Sequence, residues 1–245
     1  MVNGKFHFPR ANNLQTINKK ILVGGFLAFG ITIIVVINQQ GHQHSIFQYI
    51  QEDEIISSLN DGDIICRLGD RIWSILFKDL SPKDKRFSHL GVVRIRDDSV
   101  SVINAEGLAI EGKDYVNEVP LKDFLKTAQS IGIYRLRSIE GDKISDIAFE
   151  YKGYPFDWQF DMEDDKNLYC SELLYVILKK LDPDIELSTV WLKEIGKNVI
   201  PLDVCSQPEY FIEVGYWGKD SEKEVDRGAY NNVRLLRRIM KTWGL

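Results

Sequence analysis

The stretch FSHLGVVRIRDDSVSVINAEG, residues 87–107, places two β-rich runs on either side of Asp97 and Asp98. Aspartate suits tight turns, and a two-residue loop joins antiparallel strands without splaying them. If Asp97 and Asp98 form that loop, Arg96 faces Ser99 and the numbers of paired residues sum to 195. His89 then lies across from Glu106, and directly opposed residues share a face with Cβ atoms about 5 Å apart. The hairpin thus predicts an imidazole beside a carboxylate. A three-residue loop would break the pairing.

The stretch LYCSELLYVILKKL, residues 168–181, is the second decisive one. Cys170, Leu173, Leu174, Ile177 and Leu181 recur at helical spacing, which puts Cys170 at the tip of a buried helix face. Such a thiol is either a packing residue or a nucleophile. The positive end of a helix and a nearby imidazolium both favour the reactive thiolate. With His89 as base and Glu106 as its orienter, Cys170 has the partners that acyl transfer needs.

Outward from these stretches the chain alternates elements. Apolar spacing over residues 45–59 predicts a leading helix, and DIICRL (63–68) a buried strand. A helical patch follows around residues 71–77. VPLKDFLKTAQ (119–129) reads as a helix, IGIYRLR (131–137) as a strand, and DKISDIAFEYKG (142–153) as a helix closed by Gly153. PEYFIEVGYW (208–217) reads as a late strand. No internal repeat interrupts this order, so one α+β domain over residues 46–245 is the simplest architecture.

Charge narrows the function. The net charge is −5, yet residues 1–38 hold Lys5, Arg10, Lys19 and Lys20 and no acid, leaving −9 on the rest. So acidic a body does not suit nucleic acid, where phosphates must be neutralised. Three cysteines and four histidines, with no C-x-x-C pair, make neither a disulfide framework nor a zinc finger. No metal or cofactor is expected, and Cys66 and Cys205 read as buried thiols.

Residues 21–37, ILVGGFLAFGITIIVVI, form a 17-residue run without charge, reaching about 26 Å as a helix. Lys19 and Lys20 precede it and no basic residue follows until Arg67. The positive-inside rule then predicts residues 1–20 in the cytoplasm, a transmembrane anchor over 21–37, and the body on the outer, periplasmic side. Residues 38–45 are a polar linker, whose His42 and His44 read as solvated. Near the C-terminus, Val233, Leu236, Met240 and Trp243 share a helical face that would dock on the domain or lie on a membrane.

In order, LNDGDII, SHLGVV, VINAEG, GYPFDWQF and YCSELLYVIL resemble the permuted papain-like cysteine hydrolases of the YiiX kind, a branch of the NlpC-type peptidase superfamily. The resemblance spans about residues 60–181. It implies a small antiparallel sheet packed on the Cys helix, and an amidase or peptidase acting through an acyl-enzyme. It carries Cys170 over as nucleophile, His89 as base and Glu106 as orienter. Tyr169 is a candidate oxyanion donor, and Asp157, in a family-like motif, a candidate for substrate contact or for fixing the loop before the helix. The implied substrate is a cell-envelope peptide, a lipid-linked acyl amide or an ester. An inactive binding module of the same fold is the alternative.

Overall fold

Asp97 and Asp98 adopt left-handed φ values of 47° and 62°. Positive φ at both central residues is the geometry that matches the natural twist of a two-residue hairpin. In this computed structural model, which describes residues 52–108, 113–193 and 196–218, that turn joins β2 (His89–Arg96) to β3 (Ser99–Leu108). The register pairs Arg96 with Ser99 and Val92 with Ile103, as the loop length requires. The segments read as anchor, linker and C-terminal tail lie outside the described residues. Among those described, no helix is long and apolar enough to cross a membrane.

The other described elements are α1 (Glu52–Ser58), β1 (Ile64–Gly69), α2 (Ile72–Asp79), β4 (Lys113–Pro120), α3 (Leu121–Leu125), β5 (Ala128–Leu136), α4 (Gly141–Glu150), α5 (Cys170–Leu181), a short β6–β7 hairpin (Val190–Leu192, Lys197–Val199) and β8 (Phe211–Gly218). Six strands form one antiparallel sheet in the order β4-β3-β2-β1-β5-β8, so the class is α+β.

Alternation along each strand gives the sheet two apolar faces. One carries Ile64, Cys66, Leu90, Val92, Ile103 and Ala105, and it packs on α4 and α5 through Ile144, Ala148, Leu173, Leu174 and Ile177. The other carries Ile65, Val93, Val102, Ile131 and Ile133 beneath Ile55 of α1 and Leu121 and Phe124 of α3. Each fully buried Leu, Ile or Phe contributes about 1.5–3 kcal/mol, so helices on both faces are what hold the sheet.

The helix expected over 119–129 is a correction. Residues 113–120 are instead β4, paired with β3 from Leu108↔Lys113 to Ser101↔Pro120, and only Leu121–Leu125 turns helical. Val116 is buried in one face while Leu121, Phe124 and Leu125 fill the other. The ladder along β3 outweighed the local helical pattern. Pro120 then ends the strand, because it cannot donate to a further rung.

Candidate active site

The site lies where β1 ends, β2 begins and α5 begins. Arg67 on β1 and His89 on β2 are cross-strand partners, and Leu90 pairs with Cys66. The β2–β3 ladder stops at Val92↔Ile103, although both strands run on past it. Beyond that point side chains, rather than backbone rungs, join the two strands.

His89 is part-buried, with its ring centroid 5.9 Å from that of Phe124. Its Nε2 lies 2.8 Å from Asn104 Oδ1. Asn104 is fully buried, and its Nδ2 donates to Asn117 Oδ1 at 3.1 Å. Because that amide nitrogen is committed to Asn117, Asn104 Oδ1 must accept from His89. The imidazole proton therefore sits on Nε2, and Nδ1 keeps the basic lone pair.

The partner of His89 Nε2 is thus Asn104 rather than Glu106, although the Glu106 charge still acts on the ring it was expected to face. Glu106 Oε1 is instead 2.8 Å from Arg67 Nη2. A cation two strands away, on β1, outcompetes the neutral ring on the intervening β2 for the carboxylate. Asn104, two residues earlier on the same face, reaches His89 diagonally. Gly91 makes the room: a Cβ there would stand 3.0 Å from Asn104 Cβ and 2.5 Å from Val102 Cγ1. The sequence signal for Asn104 was that diagonal, combined with a glycine between the two positions.

Arg67, missed in the sequence, is buried, and both of its terminal nitrogens are engaged. Nη1 gives a 2.8 Å bond to the Phe124 carbonyl, Nη2 meets Glu106, and the guanidinium stacks 4.4 Å from the Phe124 ring centre.

Burial, reinforced by the Arg67 charge, pushes His89 down to about 4, against the pull of Glu106 and the Asn104 bond. Burial likewise pushes the Cys170 thiol up to about 11. The N–H groups of Leu90, Ser171 and Cys170 itself, and the charge on Arg67, act in the opposite direction. The helix start thus favours the thiolate, as expected, but burial is the larger effect. At neutral pH both groups are uncharged.

Cys170 is half-buried against the α4–α5 core, whereas His89 leaves β2 on the Phe124 side. The Leu90 N–H, one residue from His89, is the point at which the thiol meets the sheet. Among the described residues no hydrogen bond joins thiol and imidazole, and the Arg67 charge acts on both.

The residues flanking Cys170 grip both backbone polar groups of one residue, Ile200. Tyr169 Oη accepts from the Ile200 N–H at 2.8 Å, and Ser171 Oγ donates to the Ile200 carbonyl at 2.7 Å. Tyr169, a candidate oxyanion donor, is thus engaged as a buried brace. Asp157 caps its own loop, accepting from the N–H groups of Gln159 at 2.7 Å and Asp161 at 2.5 Å. Glu172 Oε2 accepts from the Tyr169 N–H at 3.2 Å, and burial pushes its carboxyl up to about 8.

Comparison with known proteins agrees with this architecture. The curated protein "Uncharacterized protein YiiX" of Escherichia coli strain K12 is 29% identical over 164 residues, covering 58% of this chain and 75% of that one. The crystal structure of the metalloprotein YiiX from Escherichia coli O157:H7 superposes with a TM-score of 0.56 at 18% identity, covering 66% of this chain and 99% of that one. The likeness of those coordinates is one of fold. Among the described residues of this chain, no group of three or more His, Cys, Asp or Glu converges in a geometry that would hold a metal ion. A sequence profile of the permuted papain-like amidases matches residues 58–199, more than half of the chain, and the protein belongs to that YaeF/YiiX family, C92.

Proposed function

We propose that this protein is a membrane-anchored cysteine hydrolase that cleaves an amide or ester through an acyl-enzyme on Cys170. His89 Nδ1 takes the thiol proton as Sγ attacks the carbonyl carbon. The N–H groups at the start of α5, that of Cys170 included, receive the developing oxyanion. His89 then returns the proton to the leaving amine or alcohol, and water, deprotonated by the same nitrogen, hydrolyses the thioester. Asn104 fills the orienting role, with Asn117 behind it, while Glu106 serves Arg67.

The single observation that carries this reading is the His89–Asn104–Asn117 chain. It supports the tautomer that leaves Nδ1 basic, on the residue next to Leu90, whose N–H meets the Cys170 thiol. A neutral thiol and a neutral imidazole define a resting state in which proton transfer accompanies attack. Residues 21–37 anchor the chain with the domain on the periplasmic side, and the substrate is a cell-envelope peptide or a lipid-linked acyl group.

Profiling with acyl-amide and peptide probes tests this. The wild type should form a Cys170 thioester that Cys170→Ala lacks and that accumulates slowly in His89→Ala. Removal of residues 1–45 should release the protein from the membrane fraction.

A second reading, a non-catalytic binding module of this fold, is favoured by the raised pKa of the thiol. It predicts no covalent adduct with any acyl probe.

A further inference from the structure

Arg67 is a buried cation whose two terminal nitrogens are both engaged. Its Nη1 and Nη2 are bonded to the Phe124 carbonyl and Glu106, and its guanidinium lies on the Phe124 ring, the surface that His89 also packs against. A substrate carboxylate would have to displace those partners, so Arg67 is poorly suited to binding one. It is also the cross-strand partner of His89. What such a residue can still exert is its field, which is weakly screened where water is excluded.

We propose that Arg67 is a positioning residue that acts on the thiol site through its charge, holding His89 in its neutral, proton-accepting form. This rests on the hydrolase reading only for its purpose; the interaction itself can be read from the imidazole alone.

Among the described residues, the other groups around the ring do not provide that charge. From β3 come Asn104, neutral and bonded to Nε2, and Glu106, whose charge acts in the opposite sense to that of Arg67. From α3 comes the Phe124 ring, with Thr127 just beyond it at 3.4 Å from Arg67 Nη1. Asp70 and Arg71, next along from β1, act on Arg67 with opposite signs. The Cys170 thiol, uncharged, meets the backbone N–H of Leu90, the next residue along β2. Arg67 is thus the cation to which His89 responds, and the same charge acts on the thiol in the direction of the thiolate.

The field makes a signed prediction that a purely structural role does not. Glu106→Gln keeps the cation and deletes its counter-charge, so His89 should become harder to protonate. The double variant Arg67→Met/Glu106→Gln deletes both charges of the pair together and should make His89 easier to protonate. Arg67→Lys keeps the charge and changes the shape.

The measurement is histidine-selective carbon-13 NMR on the full-length chain. It has four histidines, and the His89 signal is assigned by its loss in His89→Gln. At pH 5, about a tenth of His89 should be protonated in the wild type, about half in the double variant, and less than about a tenth in Glu106→Gln. Arg67→Lys should stay within about twofold of the wild type.

Equal protonation in the wild type and a folded double variant would overturn the proposal. So would a Glu106→Gln shift in the direction of the double variant, a test that holds even if the double variant does not fold. A chain that forms no acyl adduct defeats the hydrolase reading but leaves these titrations intact. Unchanged titrations in an active enzyme defeat Arg67 alone.

Discussion

His89 Nε2 and Asn104 Oδ1 stand 2.8 Å apart, and Asn104 Nδ2 is tied in turn to Asn117 at 3.1 Å. Asn117 is Asn104's cross-strand partner on β4, so a chain of amides crossing β3 sets the tautomer of a ring on β2. The orientation does not rest on a charge. A neutral amide can hold the ring without stabilising its protonated form as strongly as a carboxylate would.

Asn104→Ala should therefore reduce kcat by about 100-fold with little change in KM, since the ring loses its orientation but the nucleophile remains. Glu106→Gln, expected from sequence alone to be as damaging, should cost less than about 10-fold. Steady-state kinetics on an acyl-amide substrate separate the two. Equal losses would restore Glu106 as the orienter.

The pH dependence follows from a base held down to about 4 and a thiol pushed up to about 11. Activity requires neutral His89, so kcat/KM should be flat near neutrality and fall only as the pH drops toward about 4. An enzyme working from a preformed thiolate–imidazolium pair would instead lose activity as the pH rises and the imidazolium deprotonates. Alkylation of Cys170 by iodoacetamide should accelerate steadily from pH 7 toward about 11. It should also outpace alkylation of Cys66 and Cys205, which are 0% and 2% exposed.

The grip on Ile200 gives a stability prediction. Tyr169→Phe leaves a buried N–H without its acceptor and should destabilise by about 1–3 kcal/mol; Ser171→Ala should cost about 1 kcal/mol. Urea denaturation measures both. A Tyr169→Phe variant of wild-type stability but abolished turnover would return Tyr169 to the oxyanion role.

Glu172 supplies a pH-dependent term with a definite sign. Its folded pKa is raised to about 8 from an ordinary value of 4.5, so the folded state holds the proton more tightly than the unfolded one. Below about 4.5 both states are protonated and nothing is lost; from there to about 8 the folded state loses stability as the pH rises. Glu172→Gln retains the acceptor for the Tyr169 N–H and should remove this loss, so its advantage over the wild type should grow between pH 5 and pH 8.5.

Local chemistry made much of this protein legible in its sequence. Asp97 and Asp98 at the tip of the hairpin determined the register of β2 against β3, because a two-residue loop leaves only one pairing. The apolar spacing after Cys170 determined a helix that begins at that residue, and its buried face. These signals act over a few residues, where loop length and side-chain period leave few alternatives.

The tertiary structure alone decided which neighbours the functional groups meet. Arg67 reaches β2 through a connection long enough to contain α2, so no loop rule could place it opposite His89. Once there, its charge captured Glu106 and left the imidazole to Asn104. The balance of burial against helix-end N–H groups at Cys170 likewise depends on how completely α5 is covered. Turn geometry and periodicity are written in neighbouring residues, whereas electrostatic partnership and desolvation depend on distances across the sheet that exist only after folding.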